Sequence, residues 1–279
     1  MLPKLPRFLA LCFAAAAAGA TGLVVLPVPA SAQATTSGNA DAGAGPDADP
    51  AISEADELYW DQRVLESLEI LEELLDSDPE NYAALRDAAR SAIARGLLTT
   101  GRDIQTQWYR IGESYARRAT EVEPELIDGY YWHLTAKGLR AVRTGGRDAA
   151  SLSGEVYELA HEVLEMDSLH AGAHHALGVL NYRIRRLSGI QRFVAGNFMG
   201  GWVIGRTSWE DAESYLTRAI ELRPDYILFH LDLGRMLLHR ERMDEARRQF
   251  ERVLALPVFE PPDVRFKEAA ERRLAEIRG

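Results

Sequence analysis

His170, His174 and His175 come nearest, by residue type and spacing, to a metal site. His170 and His174 stand four apart, so on a helix they share one face, as zinc-binding pairs do. The run His-Ala-Gly-Ala-His-His lacks the glutamate that a zincin helix places beside its first histidine. The three histidines are therefore assigned structural roles, and no metal or cofactor is expected. The stretch Gly196-Asn197-Phe198-Met199-Gly200-Gly201 is glycine-rich, but no Lys-Ser/Thr follows to hold a phosphate and its metal. Neither a Gly-x-Ser-x-Gly elbow nor a dinucleotide fingerprint occurs. Carboxylate pairs such as Glu72-Glu73 fall on expected solvent faces, and two carboxylates become an acid–base pair only where a pocket separates their pKa values. The reading is that the protein is not an enzyme.

Binding chemistry is a different matter, and the elements that position it come from a repeat. Four segments close alike: SLEILEELLDSDPEN (67–81), YARRATEVEPELID (115–128), YELAHEVLEMDSLHA (157–171) and YLTRAIELRPDYI (215–227). Each is apolar at helical spacing and ends on an acid-containing turn, three times with a proline: Pro79, Pro124 and Pro224. RRQFERVLALPVFEPPD (247–263) is a fifth, with Pro257 slightly early. Another helix, the one that opens the next pair, follows each of the first four, over 81–96, 126–142, 171–187 and 227–241. Leu177-Gly178 and Leu233-Gly234 hold one place in the last two, where a missing side chain lets the partner helix approach. Ala212 and Ala246 are the matching small residues. Neither strand nor hairpin signals appear. The expected fold is all-α: a tetratricopeptide-like solenoid of about four helix pairs, with a capping helix over 263–278. LLTTGRDIQTQ (97–107) and RTGGRDAASLSG (143–154) are read as connections longer than a tight turn needs.

In such a solenoid the first helix of each pair lines the concave side. By register its groove positions here include Arg90, Trp132, His175, Tyr182 and Arg235. Trp, Tyr and Arg dominate binding energy at interfaces; simple packing between repeats is the alternative for Trp132 and Tyr182. Arg183, Arg185 and Arg186 are read as a solvated face.

SGIQRFVAGNFMGGWVIGRTS (188–208) interrupts the third pair with Phe193, Phe198 and Trp202, several glycines and no acid. Three placements are open. The aromatics pack back onto the array's own concave face or edge; or they form a docking patch for a partner; or 190–204 makes a short amphipathic helix touching lipid. Ser208 with Asp211 three residues on restarts the helix as a capping-box-like pair.

The N-terminus carries Lys4 and Arg7, a charge-free run from Phe8 to Leu26, and Ala30-Ser31-Ala32. This is the layout of a secretory signal cleaved after residue 32. An uncleaved membrane anchor is the alternative. Cys12, the only cysteine, lies inside the apolar run rather than after it, so the mature chain has no disulfide. Residues 33–50 lack large apolar side chains and are expected to be a disordered linker before the domain at 51–279. The formal charge of −10 becomes −12 once Lys4 and Arg7 are gone. That argues against nucleic acid as a partner and against an anionic membrane face.

From Met166 onward the chain resembles the regulator of microtubule dynamics family and its bacterial tetratricopeptide relatives. The carrying residues are MDSLHAGAHHALGVLNYRIRR, the aromatic and glycine insert, SWEDAESYLTRAIELRPDYILFHLDLGRMLL and VLALPVFEPPDVRFKEAAERRL. The resemblance implies an all-α solenoid in an adaptor role. It does not carry microtubule binding with it, since tubulin tails and this surface are both acidic. The expected function is a non-catalytic protein-interaction scaffold of the periplasm or cell envelope. The alternative is a carrier holding a small apolar or lipid-like ligand between the insert and the groove. Membrane contact is expected only through an uncleaved N-terminus or, weakly, through the insert.

Overall fold

The computed structural model describes residues 49–197 and 201–278. Helices follow one another without a strand among these residues: α1 (Pro50–Trp60), α2 (Val64–Ser77), α3 (Tyr82–Leu98), α4 (Arg102–Val122), α5 (Ile127–Arg143), α6 (Gly146–Met166), α7 (Ala171–Arg186), α8 (Gly189–Gly196), a 3-10 turn (Gly201–Arg206), α9 (Trp209–Leu222), α10 (Ile227–His239), α11 (Met243–Ala255) and α12 (Asp263–Arg278). They pack as antiparallel hairpins α1/α2, α3/α4, α5/α6, α7/α9 and α10/α11, with α12 closing the array.

The local reasons are legible. Asp78, Glu123 and Arg223 each precede a proline, which disfavours the helical conformation, and all three leave the helical region, with ψ of 82–83°, at the ends of α2, α4 and α9. The next helix then starts on a cap where the sequence offers one. Asn81 Oδ1 accepts from Ala84 N at 3.0 Å, and His170 Nδ1 from Ala173 N at 3.2 Å. Ser208 Oγ accepts from Asp211 N at 2.8 Å.

Within the hairpins the glycines set the helix spacing. A Cβ on Gly178 would lie 2.7 Å from the Leu216 side chain and 2.9 Å from its backbone N; one on Gly234 would lie 2.6 Å from the Phe250 ring. The large side chains filling those places are thus Leu216 and Phe250, while Ala212 and Ala246 sit one turn earlier, also fully buried.

Two connections differ from expectation. α3 runs on to Leu98 and α4 begins at Arg102. Thr99 Oγ1 donates back to the Arg95 carbonyl and Gly101 takes a φ of 95°, a left-handed turn that glycine permits, so three residues suffice where eleven were read as linker. Likewise only residues 144 and 145 separate α5 from α6, and Leu152, Val156, Ala160 and Val163, buried at intervals of four, four and three, carry the helix's inner face back into the stretch read as a connection. One element was not anticipated. Asp49 caps α1, Pro50 opens it, and Ile52, Ala55 and Tyr59 bury its inner face against the array.

The superhelix brings its ends together. Trp60, the last residue of α1, meets Phe259 before α12 with ring centroids 5.1 Å apart. Arg265 of α12 donates to the Leu98 carbonyl of α3 at 3.4 Å.

Candidate functional site: the concave groove

Between those ends lies a concavity of about 880 Å³. Its wall is made chiefly by the first helices of the hairpins, α3, α5, α7 and α10, together with α12. Arg90, Trp132, His175, Tyr182 and Arg235 all line it. Helical spacing explains the α7 contribution: His175, Val179, Tyr182, Arg183 and Arg186 recur at intervals of three and four and so share one face. By that spacing Arg183 and Arg186 are groove residues, contrary to the solvated face expected for them; Arg185, off the stripe, is not among the lining residues.

His175 stacks on Phe229 at 4.7 Å and shares a hydrogen bond of 3.0 Å from its Nε2 to Asp232 Oδ2. Arg235 Nη1 donates to the other carboxylate oxygen at 2.8 Å. Burial alone would raise the Asp232 pKa, but the His175 hydrogen bond and the Arg235 charge hold it far below the ordinary carboxylate value. Arg90 donates to Asp56 of α1 at 2.6 Å and lies 4.0 Å over the Tyr59 ring. Tyr182 is buried against α9 and α10, its ring 6.2 Å from Trp209 and 6.0 Å from His239. It is therefore packed between repeats while still showing an edge to the groove. Trp132 is half-buried against Tyr131, 5.0 Å away.

The sequence reading missed one end of the groove. Glu260, in the loop before α12, accepts from Tyr226 Oη at 3.3 Å. Burial and the nearby Asp263 raise its pKa above the usual range, against the pull of Arg223 and Arg90. Tyr131 and Tyr59 stand in the same cluster. No spacing rule could have found it, since it joins α1, α5, α10 and the 257–262 loop.

The histidine trio is dispersed. His170 is the α7 cap and lies against Tyr131 at 4.8 Å; His174 Nε2 meets the Ser168 carbonyl at 3.0 Å; His175 faces Asp232. Among the described residues no three His, Cys, Asp or Glu side chains gather as a metal site would require.

The insert lies elsewhere. α8 starts on a full capping box, Ser188 with Gln191, and the 3-10 turn packs against α6. Phe193 is 77% exposed and Trp202 43% exposed, its ring edge-on to Tyr157 at 5.3 Å. Phe198 lies outside the described residues. Of the three placements, the concave face is excluded for the described insert residues, whereas Trp202 packs on α6 outside the groove and Phe193 stays exposed. Val203 is the buried anchor, Gly201 admits the α8 backbone so closely that a Cβ would meet the Ala195 carbonyl at 2.4 Å, and none of the described insert residues lines the groove. Nothing in the sequence marked Val203 above its louder aromatic neighbours.

Stacked antiparallel hairpins with first helices turned to a shared concavity define a tetratricopeptide-like solenoid. The family model for regulator of microtubule dynamics protein 1-3 matches residues 51–278, and the chain belongs to that family. Among solved structures it is similar to TTC0263, a thermophilic tetratricopeptide protein of Thermus thermophilus: 17% identity, 81% of this chain and 96% of that one, TM-score 0.57. It is also similar to MamA (12%, 74% and 88%, 0.41) and to YrrB, described as a tetratricopeptide protein with an unusual peptide-binding site (14%, 81% and 92%, 0.40). No curated protein matches the chain.

Proposed function

We propose that this protein is a non-catalytic interaction scaffold of the periplasm or cell envelope, and that its concave groove holds a segment of another protein. The observation that carries the reading is the groove itself. It is about 880 Å³, and it brings Trp132, Tyr182, Arg90 and Arg235 from four helices onto one surface. Aromatic and arginine side chains in a concave, partly desolvated setting are where interface energy concentrates. The signal-like N-terminus supports export; it lies outside the described residues, and no described helix is long and apolar enough to cross a membrane.

A second reading, a carrier for a small apolar ligand, draws on the apolar stretch of the wall formed by Leu97, Leu139, Val142, Leu238 and Phe266. The groove alone would then hold the ligand, without the insert.

Photo-crosslinking in the living host tests both. A photoreactive residue replaces Leu139 in the groove, and in a second strain Trp202 in the insert. Crosslinks from position 139 to an envelope protein are expected. Crosslinks from 139 to this chain's own helices alone sink the scaffold reading. A reproducible small mass carried by the protein in native mass spectrometry then favours the carrier. The N-terminus of the purified protein, read in the same spectra, starts at Gln33 if the signal is cleaved.

A further inference from the structure

The chain is acidic as a whole, at −10, yet its groove is basic. Eight arginines and no lysine line the concavity, against two acids, Asp232 and Glu260. Both acids are already engaged, Asp232 by His175 and Arg235 and Glu260 by Tyr226. Arg183 has no carboxylate within ion-pair distance among the described residues, and its buried Nε has no hydrogen-bond partner. Arg186, beside it, reaches only the Tyr182 hydroxyl, at 3.4 Å. Burial, with Arg186 and Arg235 as like-charged neighbours, pulls the Arg183 pKa below its ordinary value, against the pull of Asp232. A desolvated guanidinium without a counter-ion is costly, and an incoming carboxylate forming paired N–H···O bonds relieves that cost.

We infer that the groove takes an acidic, extended segment of a partner protein, its carboxylates seated on Arg183 and Arg186 of α7 and on Arg143 of α5. This rests on the scaffold reading and names the chemistry of its partner. Distribution favours a chain over a single anionic head. Arg90, Arg235 and the three arginines of α12 pair with Asp56, Asp232, Glu268 and Glu276, so among the described residues the lining cations without an ion pair are Arg143 on α5 and Arg183 and Arg186 on α7. One headgroup meets one such cluster; a peptide with several carboxylates meets several. The aliphatic side chains between them receive the apolar residues of the same segment.

The test uses the full chain and fluorescence anisotropy with a short labelled peptide in which glutamates alternate with leucines. The control has glutamine at every glutamate. The glutamate peptide is expected to bind at least about tenfold more tightly than the glutamine peptide, with the gap closing as salt is raised. The double variant R183Q/R186Q removes most of that gap, a loss of about tenfold. Because Arg183 is partly buried, Arg272→Gln with Arg273→Gln, both exposed, serves as the variant that leaves folding intact and lowers binding to a lesser degree. Equal binding of the two peptides overturns the acidic preference and leaves the scaffold reading standing. No binding of either peptide overturns it too, while crosslinking from position 139 decides the scaffold reading separately. Binding of phosphatidylglycerol vesicles in place of the peptide, lost in R183Q/R186Q, overturns it in favour of a lipid.

Discussion

The groove and the insert are both rich in aromatic and arginine side chains, and they use them in opposite ways. In the groove the rings are packed on neighbouring repeats: Tyr182 is 7% exposed and Phe229 1%. In the insert Ile190 is 78% exposed, Phe193 77% and Val194 50%. The difference lies in what surrounds them. A groove ring sits between two repeats, so both its faces meet side chains, whereas α8 is a single short helix lying on α6 with nothing among the described residues over its outer face. Composition alone therefore does not say whether an aromatic holds the fold or is available to something else.

The comparison can be broken at its hydrophobic anchors. Phe250, fully buried under Gly234, should cost ~3–5 kcal/mol as Phe250→Ala. Phe193→Ala should stay within ~0.5 kcal/mol. Chemical unfolding of both variants checks this, and a comparable loss at Phe193 would mean that the insert is packed after all.

Titration sharpens the contrast further. Burial, helped by Arg223 and opposed by Asp167, brings the His170 pKa down to about 4 from about 6.5. The unfolded chain then binds the proton that the folded chain refuses, so stability falls as pH drops from about 6.5 towards 4, by on the order of 3 kcal/mol. H170N keeps a capping oxygen and should flatten that slope in thermal unfolding between pH 7 and pH 4. His133, also held near 4 by burial, keeps its own share of the slope. The insert contains only arginines as ionisable groups, so substitutions there should leave the slope unchanged.

The smallest effects concern glycine. Gly178→Ala drives a methyl into Leu216 and should destabilise by ~1–3 kcal/mol. Gly189→Ala in the insert meets nothing within 4 Å and should be neutral or stabilising by at most about 0.5 kcal/mol. The order of the two melting temperatures is the readout, and its reversal would refute the spacing role given to Gly178.

Much of this molecule follows from the sequence. Proline turns, Asn81 and Ser208 as caps, the Leu-Gly pairs and the apolar spacing are local rules, and they place nearly every helix and the closing one at 263–278. They also place Arg90, Trp132, His175, Tyr182 and Arg235 on first helices, since a helix face is a matter of spacing. Where the rules misled, longer-range packing won. Thr99 and Gly101 turned an apparent linker into a tight corner, and Arg183, read as solvated, entered the groove. Only the tertiary structure decided that the ends of the superhelix meet through Trp60, Phe259 and Arg265, and that Glu260 joins Tyr226 and Tyr59. It alone separated the insert from the groove. Those contacts bridge residues far apart in the chain, and the angle at which each repeat stacks on the last fixes them; no short window of sequence carries that angle.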